Sequence, residues 1–271
     1  MKRSAMMAVV AAGILALAGA ASAAVSTVAQ FHMGEDGDTP LTALKDAMGG
    51  PNAVREIGTT FSIVEGDTGA MGSTKYLDTE KSLWYVNPGI GTGVLGTTNW
   101  GMDVWLKMPT LAAANAKADA GRPTSNIMSN GSLNNSMGMQ RVSTDNFMWS
   151  MAGVGAQTVS VDNSLFDTWV HAAFVYNGNN NMQLYINGQP LATLSRNANY
   201  VTGRQSYLFI GTVSNNTAGN QWMGGMDELR VFTFDQGNFN ISDIYSPIPE
   251  PATMSLLVVG GVAALIRRRR S

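Results

Sequence analysis

The chain has 271 residues, no cysteine, 13% charged residues and a formal net charge of −2. This length allows one large β domain or two small ones. The lack of cysteine excludes disulfides, thiol catalysis and thiolate metal sites, so a hydrophobic core has to stabilise the fold.

The N-terminus has the composition of a targeting segment. Residues 1–23 begin with basic Lys2 and Arg3, continue with a run of small and apolar residues, and end in Ala21-Ser22-Ala23, which fits an A-x-A cleavage site. The alternative is an N-terminal membrane anchor, but the apolar run is short for a span. We therefore expect residues 1–23 to be a signal peptide for the Sec export machinery and signal peptidase.

The C-terminus carries most of the remaining basic charge. Residues 254–266 are apolar and are followed by Arg267–Arg270. Without both terminal segments, Lys+Arg falls from 17 to 11 and Asp+Glu from 19 to 18, so the body between them carries about −7. Such a surface excludes nucleic acid as a partner, because phosphate binding relies on clustered Lys and Arg.

Short apolar or alternating runs punctuated by Gly and Asn fill the body, and little of it favours helix. The runs predict strands at Val25–Met33, Ile57–Val64, Ser82–Val86, Trp100–Met108, Asn126–Ser129, Phe147–Met151, Thr158–Val161, Leu208–Ile210 and Gly225–Phe232. Leu111–Gly121 is predicted to be a short surface helix or an inserted loop. The rest of residues 123–139 is expected to be loop. The pattern indicates an antiparallel β-sandwich.

A three-stranded meander is the clearest local prediction. The uncharged run Trp169–Tyr176 is typical of a strand covered on both faces. Met182–Ile186 alternates, and Asn187-Gly188 is a strong signal for a two-residue type I′ turn into Leu191–Leu194.

The meander and the strands after it also carry a family resemblance. The residues are Trp169-Val170-His171-Ala172-Ala173, Tyr176-Asn177-Gly178, Leu184-Tyr185-Ile186-Asn187-Gly188, Leu208-Phe209-Ile210-Gly211, Gly225–Phe232 and the turn Ile241–Tyr245. In this order they resemble laminin-G-like, concanavalin A-like jelly rolls. The resemblance implies an all-β fold of two antiparallel sheets over residues 25–246. It does not specify a function, because this fold hosts lectins, adhesion modules, glycosidases and spacers.

The tail resembles the PEP-CTERM sorting signal of Gram-negative bacteria. Residues 247–271 contain the motif Pro249-Glu250-Pro251, the apolar segment 254–266 and the basic cluster Arg267, Arg268, Arg269 and Arg270. The resemblance implies transient inner-membrane association, processing by an exosortase, and a location at the cell surface or in the extracellular matrix. The alternative is a plain membrane anchor, but the segment is shorter than the roughly twenty residues of a span.

The resemblance also implies a calcium site, since members of the family often hold this ion. Calcium takes oxygen ligands from carboxylates on loops. The candidates are Asp46, Asp227 and the turn that contains Glu35, Asp36 and Asp38. The first and last strands of such a sandwich lie side by side, which would bring these groups together. The alternative is that the turn carboxylates bond nearby backbone N–H groups.

Six tryptophans suggest a surface for stacking on sugars. Trp105 and Trp169 lie in apolar strands and are predicted to be core residues. The candidates for glycan contact are Trp84, Trp100, Trp149 and Trp222. The alternative for each is burial.

No catalytic residue is predicted. The two histidines, His32 and His171, are expected to be packing residues. The jelly-roll glucanases carry E-x-D-x-x-E on one strand, and this string is absent. Asp227 and Glu228 are predicted to point to opposite faces of their strand, which would prevent them from flanking one glycosidic bond. The expected function is that of an exported surface or matrix protein whose jelly-roll domain binds glycan, such as an extracellular polysaccharide, or another surface ligand. The alternatives are a structural matrix component without a ligand and, third, a hydrolase or lyase.

Overall fold

A computed structural model describes residues 25–34, 43–50, 52–55, 62–65, 70, 73, 75–78, 84–86, 99–129, 136–152, 157–177, 181–195, 208–211 and 221–245. The strands in this part of the chain, β1 to β16, are Val25–Phe31, Ala43–Leu44, Ala53–Arg55, Ser62–Glu65, Lys75–Asp78, Trp84–Val86, Trp100–Lys107, Thr124–Ser129, Ser136–Ser143, Asn146–Ala152, Gln157–Ser160, Trp169–Tyr176, Asn181–Ile186, Gln189–Ser195, Leu208–Ile210 and Gly225–Phe234. In the same part of the chain, the α-helix α1 spans Leu111–Asp119, and 3₁₀ turns lie at Asn163–Leu165 and Ile241–Asp243.

The strands form two antiparallel sheets, which confirms the predicted sandwich. Sheet A has the order β14-β13-β12-β7-β16-β5-β4, and β1 also pairs with β16. Sheet B has the order β11-β10-β9-β8-β15-β6-β3-β2. The first and last strands are neighbours, with Gln30 opposite Arg230. No helix in the described ranges has the length and hydropathy of a membrane span.

Most of the predicted elements occur near their expected bounds. The helix begins where Thr110 caps it, its side chain accepting from the N–H of Ala113 at 3.2 Å. A predicted loop is instead a strand: β9 runs through Ser136–Ser143, where a loop was expected up to Met139. Met137 and Met139 are both buried there. Gly138 lies between these two methionines, so the sequence does not show a clear alternation. Glycine is required at this position because a Cβ would lie 2.4 Å from the carbonyl oxygen of Ser125.

The main core lies between the sheets. It combines side chains of sheet A, such as Val104, Leu106 and Phe174, with side chains of sheet B, such as Ile127 and Leu208. These side chains point into the core because every second residue of a strand points to the same face of its sheet.

The outer face of sheet A is covered as well. Phe232, Phe234 and Val175 form a second cluster on that face, packed by Phe239 and Ile244. Phe239 stacks on Phe232 with ring centroids 6.0 Å apart. We call residues 235–245 the C-terminal strap. It explains why strand β12 is apolar on both faces, as its sequence predicted.

The turn after β13 has the predicted type. Asn187 and Gly188 have φ values of 49° and 74°, as a type I′ turn requires. Asn187 also fixes the neighbouring strand, since its Oδ1 accepts from the N–H of His171 at 2.9 Å. Gly188 lies against the strap: a Cβ there would be 2.4 Å from Cδ1 of Tyr245.

Candidate binding cleft

A cleft of about 370 Å³ lies between the outer face of sheet A and the C-terminal strap. The sheet contributes Gln30, Asp103, Trp105, Glu228 and Arg230. The strap contributes Ser242, Asp243, Ile244 and Tyr245. Its volume falls within the roughly 300–1,000 Å³ of small-molecule sites.

The alternation of β7 places two of these side chains in the cleft. Val104 and Leu106 belong to the core between the sheets, so Asp103 and Trp105 point the other way. Trp105 was predicted to be a core residue. It is buried, with 6% of its surface exposed, but it lies on the outer face beneath the strap. Trp169, the other predicted core tryptophan, is only partly buried.

A β-bulge brings Glu228 to the same face. Between Asp227 and Arg230 the register shifts by one residue against β7, and Glu228 has a φ of 50°. Asp227 lies opposite Trp105, and cross-strand partners share a face. Glu228 contacts Gln30 and His32, which alternate with core residues of β1. The prediction that Asp227 and Glu228 point to opposite faces is therefore wrong.

Glu228 is held by two residues of the first strand and its end. Nε2 of Gln30 donates to Oε2 at 3.3 Å. Nδ1 of His32 lies 2.7 Å from Oε2 and 2.9 Å from Oε1. His32 is half-buried rather than a core residue, and its packing partner is this carboxylate. The pair fixes one acidic wall of the cleft.

A buried ion pair forms the floor. Nε of Arg230 donates to Oδ1 of Asp103 at 3.0 Å, and Nη2 donates to Oδ2 at 2.9 Å. Nε2 of His171 lies 2.9 Å from the same Oδ2. His171 is fully buried, as predicted for a packing residue. Nη2 of Arg230 also donates to the carbonyl of Ile244 at 2.9 Å, which ties the strap to the sheet.

Aromatic rings fix the strap at its end. Tyr245 stacks on Trp105 with centroids 6.2 Å apart and an interplanar angle of 28°. It also contacts the imidazole of His171 at 5.2 Å. The end of the strap is therefore held by a guanidinium, an indole and an imidazole.

The structure does not favour the predicted tryptophan platform. Trp100, Trp149 and Trp222 expose 1%, 2% and 0% of their surfaces, so their rings offer no face to a sugar. Each is a core residue, because large aromatic side chains contribute most when buried. Trp84 lies in β6, opposite Ile210 and Arg55, and only its backbone is described.

The predicted calcium ligands are separated into two environments. Asp46 is buried in a turn, where Oδ1 accepts from the N–H groups of Gln30 and Met48 at 3.0 and 2.9 Å. Oδ2 of Asp46 has no hydrogen-bond partner among the described residues. Glu35, Asp36 and Asp38 lie outside the described residues. In the described part, no three acidic or histidine side chains form a group that could hold a metal ion.

Asp227 is fully buried behind the bulge. Its Oδ2 accepts from the N–H of Ala70 at 3.0 Å and its Oδ1 from the N–H of Glu228 at 2.9 Å. Burial, and secondly the Glu228 carboxylate beside it, raise the pKa of Asp227 to about 8. The side chain of Ser73 opposes that shift in pKa. Asp227 is therefore protonated at neutral pH.

Sequence reasoning missed the residues that build the cleft. Asp103 and Arg230 are charges inside otherwise apolar central strands, and that pattern was the available signal. Charges of opposite sign on such strands have to pair, because an unpaired buried charge is costly. The bulge at Glu228 gave no signal, since neither glycine nor proline marks it.

Solved structures confirm the type of fold. The chain is similar to domain 4 of AbnA, a GH43 extracellular arabinanase from Geobacillus stearothermophilus, solved in complex with arabinotriose. That match has a TM-score of 0.57 at 16% identity and covers 82% of this chain and 99% of that domain. The binding domain of botulinum neurotoxin serotype D matches with a TM-score of 0.52 at 18% identity, over 81% of this chain and 51% of that one. The chain thus spans about half the length of that neurotoxin domain.

A comparison with curated proteins found no match. Two family models match different parts of the chain. The PEP-CTERM protein-sorting motif matches residues 247–270, as the tail predicted. The residues of that signal, Pro249, Glu250, Pro251 and Arg267–Arg270, lie outside the described part. The laminin-G model matches residues 85–234, more than half of the chain. The chain therefore belongs to the concanavalin A-like lectin/glucanases superfamily and carries a C-terminal PEP-CTERM sorting motif.

Proposed function

We propose that this is an exported protein, sorted through its C-terminal signal by an exosortase, whose jelly-roll domain binds an extracellular glycan at the cell surface or in the matrix. The observation that carries the proposal is the cleft under the C-terminal strap. Its lining combines aromatic rings with groups that bond hydroxyls, the combination that sugar recognition needs.

The geometry of the cleft supports this ligand class. Tyr245, which is half-buried and backed by Trp105, presents ring surface, and sugar rings have apolar faces that stack on such rings. Glu228, Asp243, Gln30 and Ser242 place acceptors and donors around them. Most of these side chains are held in place by partners in the sheet, so little conformational entropy is lost on binding.

The similar structures add support at the level of the fold. Domain 4 of the arabinanase holds arabinotriose, and the neurotoxin fragment is a binding domain. Both show that sandwiches of this shape serve as binding modules. For this chain they support binding and do not name the sugar.

A glycan array with the exported protein, with and without calcium, tests the proposal. A variant that fills the cleft identifies the site: Ser242→Trp places a large ring at an exposed position of its lining. Ser164→Trp is a matched control, because both serines are exposed and both lie in a 3₁₀ turn. In each turn the side chain two residues before the serine accepts a hydrogen bond from the serine N–H. We expect Ser242→Trp to abolish binding and Ser164→Trp to preserve it.

Two results would contradict the proposal. If no glycan binds, a structural matrix component without a ligand is the better description. We also propose that the domain is not an enzyme, since the E-x-D-x-x-E string of the jelly-roll glucanases is absent from the sequence. Release of reducing ends or unsaturated products from β-glucans, alginate or pectin, above a heat-treated control, would show instead a hydrolase or lyase.

A further inference from the structure

The charges of the cleft are not balanced. Three carboxylates line it, those of Asp103, Glu228 and Asp243, against one guanidinium, that of Arg230. An anionic ligand would have to approach this excess of negative charge.

Arg230 offsets little of it, because its guanidinium is paired with Asp103. Nε and Nη2 donate to the two oxygens of Asp103, and Nη2 also donates to the carbonyl of Ile244. A bidentate pair of this kind neutralises both partners. The carboxylates left to act on a ligand are therefore Glu228 and Asp243.

These two carboxylates differ in the hydrogen-bond partners that the protein gives them. Glu228 accepts from Gln30 and contacts His32. In Asp243, Oδ2 is shielded from water and accepts no hydrogen bond from any described residue. A desolvated carboxylate oxygen without a donor is unfavourable, and the half-buried side chain of Asp243 removes that cost when it turns to accept from a ligand N–H in the cleft.

We propose that the cleft selects a glycan that carries a protonated amine, that is, an amino sugar with a free amino group. This inference rests on the proposed glycan binding. The ammonium group donates to Asp243 and Glu228, and the exposed part of the Tyr245 ring in the same cleft favours a cation within about 6 Å. N-acetylation removes that charge, and a uronic acid brings a charge of the wrong sign.

Isothermal titration of the exported protein with three tetrasaccharides tests the inference. They are a β-1,4-linked glucosamine oligomer, its N-acetylated counterpart and a galacturonate oligomer. We expect the free amine to bind about tenfold more tightly than the acetylated form, the factor of one charge-assisted hydrogen bond. We expect the galacturonate not to bind. Added salt should weaken only the binding of the free amine.

The variant Asp243→Asn keeps the shape and removes the charge. It should lose most of the tenfold preference for the free amine over the acetylated form. Asp235→Asn, an exposed position at the start of the strap, is the matched control. Melting temperatures equal to that of the unmodified protein verify folding.

Each other outcome has a distinct meaning. Equal affinity for the free and acetylated oligomers would overturn the inference and leave glycan binding intact, as would a preference that persists in Asp243→Asn. Tight binding of galacturonate would overturn it as well. If none of the three binds and the glycan array is also negative, the proposed function itself fails.

Discussion

A single buried carboxyl makes the stability of this protein depend on pH. The pKa of Asp227 is raised from 3.8 to about 8 in the folded protein. Between these two values the folded protein keeps a proton that the unfolded chain has lost. The stability contributed by this group is therefore complete below about pH 4 and is lost as the pH rises toward 8.

The substitution Asp227→Asn removes this titration at nearly constant volume. We expect the free energy of unfolding of the unmodified protein, relative to the variant, to fall by at least about 1 kcal/mol between pH 5 and pH 8. Urea unfolding at a series of pH values measures it, with Asp235→Asn as the exposed control. A difference that stays constant with pH would show that Asp227 is ionised throughout.

Asp46 motivates a second prediction at the same scale. Its buried Oδ2 has no partner in the described residues, and Glu35, Asp36 and Asp38 precede it in the sequence. We propose that calcium binds here, and a ligand that binds only the native state stabilises it by mass action. Millimolar calcium should then raise the melting temperature, and Asp46→Asn should abolish the rise. If melting is the same in EDTA and in excess calcium, Asp46 serves only to cap its turn.

At the scale of elements, the hairpin turn and the strap depend on each other. Gly188 needs a positive φ for the type I′ turn, and it leaves room for the ring of Tyr245. Gly188→Val therefore combines backbone strain with a steric clash. We expect it to destabilise the fold by at least about 1 kcal/mol, measured by thermal melting.

Two further variants separate the causes. Gly188→Asn keeps a residue that tolerates positive φ and adds only the clash. Tyr245→Ala in the Gly188→Val background removes the clash and leaves the strain. If the Gly188→Val variant has the same melting temperature as the unmodified protein, neither the backbone strain nor the clash with Tyr245 destabilises the fold.

A strand can be predicted from the sequence when its own pattern of apolar residues shows its burial, and not when only its pairing with other strands defines it. Strands β7 and β12 were predictable because alternation and apolar runs report burial directly. The short strand β3 was not predicted, since Ala53–Arg55 pairs with β2 and β6 and carries no pattern of its own. The cleft was not predictable either. Asp103, Glu228 and Tyr245 are far apart in the sequence, and only the bulge and the strap bring them together.

At the scale of the whole molecule, the tail decides where the protein resides. Residues 247–270 match the sorting motif, and the apolar segment is short for a permanent span. In a host with an exosortase, we expect the mature chain to lack the residues beyond Pro249-Glu250-Pro251. Deleting Arg267–Arg270 should impair sorting and leave the fold intact, because the arginines hold the end on the cytoplasmic side.

Intact-mass analysis of protein from the cell surface or the medium measures the outcome. The melting temperature of the deletion variant is the control for folding. Recovery of a chain that still ends at Ser271 would identify an anchored protein and contradict processing.

The strap has a consequence for orientation. Tyr245 is held against Trp105, and the sorting motif begins only four residues later, at Pro249. The apolar segment itself begins nine residues after Tyr245, at Met254, and nine residues span at most roughly 32 Å, about the thickness of a bilayer core. Before the tail is processed, we therefore expect the strap to be the side of the domain that faces the membrane. In that orientation the cleft would be exposed to the space next to the membrane before it reaches an extracellular glycan.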